Sequence, residues 1–125
     1  MRRLVFLGGP EEGERLRHEG IPLVESAEIP LARTRSPWNP ARDVERVIVG
    51  SHPGRADVRL EGPGIHAEHV RLYLPKDEAA PADLLAIHPA STRAGGKAIE
   101  PRDWAQLVGG ETIELGPWRF RYETG

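Results

Sequence analysis

Apolar and polar positions alternate along much of the chain with the two-residue period of a half-buried strand. Val70, Leu72 and Leu74 alternate with Arg71 and Tyr73, so the stretch from His66 to Leu74 reads as one strand. Trp118, Phe120 and Tyr122 alternate with Arg119 and Arg121, and Ala56, Val58 and Leu60 with Asp57 and Arg59. Val47-Ile48-Val49 is a continuous apolar run, as expected of a strand covered on both faces. Shorter strands are expected at Arg3 to Leu7, Leu84 to Ile87, Lys97 to Ile99 and Glu111 to Leu115, with a weaker return strand from Glu14 to His18. Gly62-Pro63-Gly64, Gly109-Gly110 and Gly116-Pro117 supply turns between them. Asp103 to Leu107 reads differently: Trp104 and Leu107 stand three apart, which predicts one helical turn facing the core. Short strands at this spacing predict an all-β sandwich of two antiparallel sheets joined by short turns.

The stretch from Gly20 to Arg42 carries Pro22, Pro30, Pro37 and Pro40. Proline cannot donate to a ladder, so the apolar pieces Ile21 to Val24 and Ile29 to Ala32 are expected at sheet edges or in ordered loop. Trp38 is expected to anchor that long loop to the body. The chain of 125 residues fits one domain, with opening strands and a Pro-rich insertion over 1–43 and the body of the sandwich over 44–122.

Composition narrows the function. The formal net charge of −2 and the 6% aromatic content argue against a nucleic-acid partner. No apolar stretch approaches the ~20 residues that span a bilayer, which argues against the membrane. The apolar start is too short for a secretory signal, so a cytoplasmic protein is expected. With no cysteine, thiolate metal sites and cysteine nucleophiles are excluded.

Three groupings carry possible chemistry. His66 and His69, with His88, offer imidazoles for a metal, but a strand turns residues three apart to opposite faces, and one loop histidine beside one hydrogen-bonded structural histidine is the expectation. Ser51 beside His52, or Ser91 near His88, lacks a nucleophile elbow, and Gly50 to Arg55 lacks the lysine of a phosphate-binding loop. No enzyme, metal or cofactor is therefore expected. The third grouping is a loop apex. Loops 50–55, 62–66 and 88–96 each follow a strand, and clustered at one end they present Ser51, His52, Arg55, His66, Ser91, Thr92 and Arg93 for a peptide.

The order of motifs adds a resemblance. Val49-Gly50-Ser51, Asp57-Val58-Arg59-Leu60, Ile65-His66-Ala67-Glu68-His69-Val70, Ala90-Ser91-Thr92-Arg93-Ala94-Gly95-Gly96 and Leu107 to Gly116 occur in register. Together, from about Val44 to Tyr122, they resemble the forkhead-associated (FHA) family of phosphothreonine-binding modules. The resemblance implies an eleven-stranded β-sandwich and a protein or phosphoprotein partner. It gives Gly50, His69 and Gly96 architectural roles, with His69 tying binding loops together.

The departures from the family pattern fall on its phosphopeptide contacts. The family's arginine after glycine is Ser51, its phosphate-binding serine is His66, its next arginine is Ala67, and its peptide-binding asparagine is Ala90. Hydrogen bonds to charged groups contribute about 1.5–3 kcal/mol each, so losing three costs at least ~4.5 kcal/mol, over a thousandfold in affinity. The expected function is a non-enzymatic protein-interaction module that does not depend on phosphate. The alternative is an adaptor that binds phosphothreonine peptides through a rebuilt basic apex of His66, Arg55 and Arg93. A homodimer through the Pro-rich insertion is a further expectation.

Overall fold

A computed structural model describes residues 2–9, 15–31, 44–87 and 91–125. The expected roles of Trp38, His88 and Ala90, and the part of the Pro-rich insertion from 32 to 43, lie outside the described residues.

Two sheets are packed face to face. One has the order β10-β9-β12-β13-β1-β4, built from β1 (Arg3–Gly8), β4 (Glu28–Pro30), β9 (Thr92–Ala94), β10 (Lys97–Ile99), β12 (Thr112–Leu115) and β13 (Trp118–Glu123). The other runs β11-β8-β7-β5-β6-β2-β3, with β2 (Arg17–His18), β3 (Ile21–Pro22), β5 (Val44–Gly50), β6 (Val58–Glu61), β7 (Val70–Pro75), β8 (Ala82–Ala86) and β11 (Trp104–Leu107). The alternation read from the sequence is the cause of this packing. Phe6, Ile113, Leu115, Phe120 and Tyr122 project from one sheet into the core, and Val47, Val49, Leu60, Val70, Leu72 and Leu84 meet them from the other. Phe6 stands 5.5 Å from Phe120 and 6.2 Å from Trp118, ring centre to ring centre.

Among the described residues, strand pairs are antiparallel except β5 with β6. Val49 pairs with Val58 and Gly50 with Arg59, so β6 starts level with the end of β5 and runs on past it. The connecting loop makes a step rather than a full return, and so it can be short. Arg2 is buried, and its guanidinium donates to the carbonyls of Pro75 at 2.8 Å and Asp77 at 2.7 Å and to the Tyr122 hydroxyl, fastening the β7–β8 loop to the sandwich.

Four sequence expectations are corrected. Residues 104–107 form strand β11 against β8, with Trp104 opposite Leu85, and Trp104 is 57% exposed rather than facing the core. Cross-strand pairing overrides the three-residue spacing that mimicked a helical turn. Asp57 is 6% exposed rather than outward, because its carboxylate accepts the Ile48 N–H at 2.9 Å. The strand expected from His66 starts only at Val70. The described residues hold thirteen strands, and the short β2–β3 hairpin extends the second sheet by pairing β2 with β6.

Candidate functional site

The loops after β5, β6 and β8 gather at one end of the sandwich, and backbone hydrogen bonds fix their order. The Ser51 N–H donates to the His66 carbonyl at 3.0 Å and the His52 N–H to the Ala67 carbonyl at 3.1 Å. Glycine at 50 makes this approach possible, since a Cβ there would lie 2.2 Å from the Ala67 carbonyl oxygen. His52 then shapes its own loop. Its Nδ1 accepts the N–H groups of both Gly54 and Arg55 at 3.0 Å, a side-chain cap that leaves Arg55 exposed.

His69 joins the second loop to the third. The His66 N–H donates to His69 Nδ1 at 3.2 Å, so the ring proton sits on Nε2, which donates to the Ser91 carbonyl at 2.6 Å. The imidazole is fully buried. Burial lowers its pKa below the usual histidine value, the Ser91 carbonyl pulls in the other direction, and the neighbouring His66 lowers it further. The neutral ring is therefore the form that fits, with both nitrogens occupied. Because 66–69 is loop rather than strand, the His66 and His69 rings lie 5.3 Å apart instead of on opposite faces. Among the described residues no group of three or more histidine or carboxylate side chains could hold a metal ion.

A fourth element completes the apex. The Gly116 N–H donates to the Ser91 carbonyl at 2.9 Å, and Trp118 Nε1 donates to the Pro63 carbonyl at 2.8 Å. Gly116 has φ +59, and a Cβ there would lie 2.8 Å from the Gly64 carbonyl oxygen. The β12–β13 turn thus braces the second loop. The doublet Gly116-Pro117 marks a turn in the sequence, but nothing there points to this contact.

The predicted site residues divide into two sets. Ser51, His66 and Ser91 are brought together by these hydrogen bonds, with Arg55 on the adjoining His52-capped turn. Thr92 is buried as the first residue of β9. Arg93 turns to the outer face of its sheet, where it pairs with Glu114 at 3.1 Å and donates to the Gly96 carbonyl at 2.7 Å. Gly96 belongs to the β9–β10 hairpin, where Gly95 and Gly96 both have positive φ, as a two-residue turn requires. The apex therefore offers hydroxyls, the imidazoles of His52 and His66 and the exposed guanidinium of Arg55 around a backbone frame.

No protein-family model and no curated protein matches the sequence. Solved structures do match the fold. The FHA domain of the CT664 protein from Chlamydia trachomatis is 19% identical, with TM-score 0.67, over 99% of this chain and 97% of that one. The cytoplasmic domain of the T3SS sorting platform protein PscD from P. aeruginosa is 24% identical, with TM-score 0.61, over 97% of this chain and 78% of that one. The N-terminal FHA domain of S. cerevisiae Rad53p, in complex with a phosphothreonine peptide, is 13% identical, with TM-score 0.63, over 99% of this chain and 93% of that one. The two packed, mostly antiparallel sheets have the β-sandwich fold of the forkhead-associated domain.

Proposed function

We propose that the chain is a non-enzymatic protein-interaction module of the cytoplasm, whose loop apex docks a protein partner without requiring a phosphate. One observation carries this reading: Arg93 is engaged by Glu114 and the Gly96 carbonyl instead of facing the apex. With Ser51, His66 and Ala67 at the places where the family pattern has its anion-binding groups, the frame persists and most of the grip on phosphate is gone. Similar folds occur both in a domain bound to a phosphothreonine peptide and in a sorting platform protein. The second setting, a module seated in a protein assembly, is the one carried over here. Self-association through the Pro-rich insertion belongs to the same reading.

The alternative keeps a phosphothreonine partner through Arg55 and His66, and the exposure of Arg55 on its capped turn favours it. Matched libraries of phosphorylated and unphosphorylated threonine peptides separate the two. The expected result is binding that differs by no more than about threefold between the libraries, under 1 kcal/mol. Strong selectivity for phosphopeptides, lost in Arg55→Ala and His66→Ala, would establish the alternative.

A further inference from the structure

Among the described residues, one side of the sandwich is bounded by two sheet edges, β10 and β11, each with a neighbouring strand on one side only. Between them runs a groove of about 520 Å³, lined by Lys97, Glu100, Asp103, Trp104, Gln106 and Glu111 among others. The Ala86 N–H donates to the Asp103 carbonyl at 3.1 Å. That bond sets the antiparallel alternation along β11, so the Asp103 carbonyl and the backbone groups of Ala105 face β8, while those of Trp104 and Gln106 face away from it. An outward row of unpaired N–H and C=O groups is a template for another strand. The opposite edges of the two sheets are blocked, since β3 contains Pro22 and β4 contains Pro30. Neither β10 nor β11 contains a proline.

Two further features describe the occupant. Trp104 is 57% exposed at the rim of the groove, its ring held 5.2 Å from that of Tyr73. Exposed, well-supported tryptophan is the side chain most often found at the energetic centre of an interface, and its face attracts cations. Glu100, Asp103 and Glu111 stand against Lys97 alone, so the lining is net negative, with Glu111 also accepting the Val108 N–H at 2.8 Å. A second copy of this chain would bring the same carboxylates to the contact, and like charges placed opposite one another oppose pairing.

We propose that this groove takes an extended, basic segment of a partner protein, which adds to β11 as a further strand and lays arginine or lysine side chains over Trp104 and against Glu100 and Asp103. This surface is independent of the apex. The test titrates the full chain with three synthetic decapeptides, followed by amide and indole NMR shifts: alternating arginine–valine, its glutamate–valine counterpart, and the basic peptide with two prolines inserted. The basic peptide is expected to shift the Trp104 indole and the amides of 94–106, leaving the loops at 51–55 and 64–69 unmoved. The acidic peptide is expected to shift nothing there. The proline version should bind at least tenfold more weakly, as should Trp104→Ala and, independently, Asp103→Lys. Equal binding of the acidic peptide, shifts confined to the apex, or unchanged affinity in both variants would overturn the proposal. So would movement of the same signals with protein concentration alone, which would assign the groove to a second copy.

Discussion

At the scale of single residues, His69 carries the apex. Removing its buried ring takes away two partly buried hydrogen bonds and leaves a cavity, so His69→Ala should destabilise the fold by about 2–4 kcal/mol in urea unfolding. Its titration sets a pH dependence with a definite sign. The folded-state pKa is lowered, by burial first, and that of His18 is lowered for the same reason against an opposing Glu19. Unfolded chains, with ordinary values near 6.5, therefore take up protons first as pH falls. Stability from these neutral rings is complete above about 6.5 and is lost as pH drops towards the folded values. Urea midpoints compared at pH 7.5 and 5.5 should fall at the lower pH, and less so in His69→Ala. Gly50 gives a steric counterpart. A methyl at that position meets the Ala67 carbonyl at 2.2 Å, which is backbone and cannot swing aside. Gly50→Ala should cost about 1–3 kcal/mol or more and disturb the amide signals of 66–69.

At the scale of elements, strands with one covered face could be read directly from the chain. The runs at 70–74 and 118–122 alternate and lie where the alternation places them, because a buried face tolerates no one-residue slip. β11 could not be read that way. Its pattern of Trp104 and Leu107 suits a helical turn as well as a strand, and only pairing with β8 decides between them. The two tryptophans test this. Trp118 is buried, its ring tilted against that of Phe6 and its N–H donated to the Pro63 carbonyl, so Trp118→Ala should cost about 3–5 kcal/mol. Trp104→Ala, on an exposed face, should cost less than ~1 kcal/mol. Comparable losses for the two in chemical denaturation would contradict the placement of β11.

At the scale of the whole molecule, strands distant in sequence are neighbours. β13 lies between β12 and β1, with Arg3 opposite Glu123 and Phe6 opposite Phe120. Deleting residues 118–125 therefore removes a central strand together with Trp118, Phe120 and Tyr122 from the core. The truncated chain should lose its dispersed amide spectrum altogether instead of fraying at one end. Pairings this non-local also place refolding in the millisecond-to-second range typical of β-sandwiches. The ion pairs on the outer face of the six-stranded sheet, such as Arg3 with Glu28 and with Glu123 at 3.4 Å, are partly exposed and contribute little beside this core.

The sequence by itself determined the fold class and the residues that fill the core, because these depend on residue type and on a period of two. The tertiary structure decided what faces what. The union of Ser51, His66 and Ser91 at the apex, the diversion of Arg93 to Glu114 and the exposure of Trp104 all arise from contacts between strands and loops far apart in the chain. A local pattern records how a segment buries one face, but it carries no information about which distant edge or carbonyl that segment will meet.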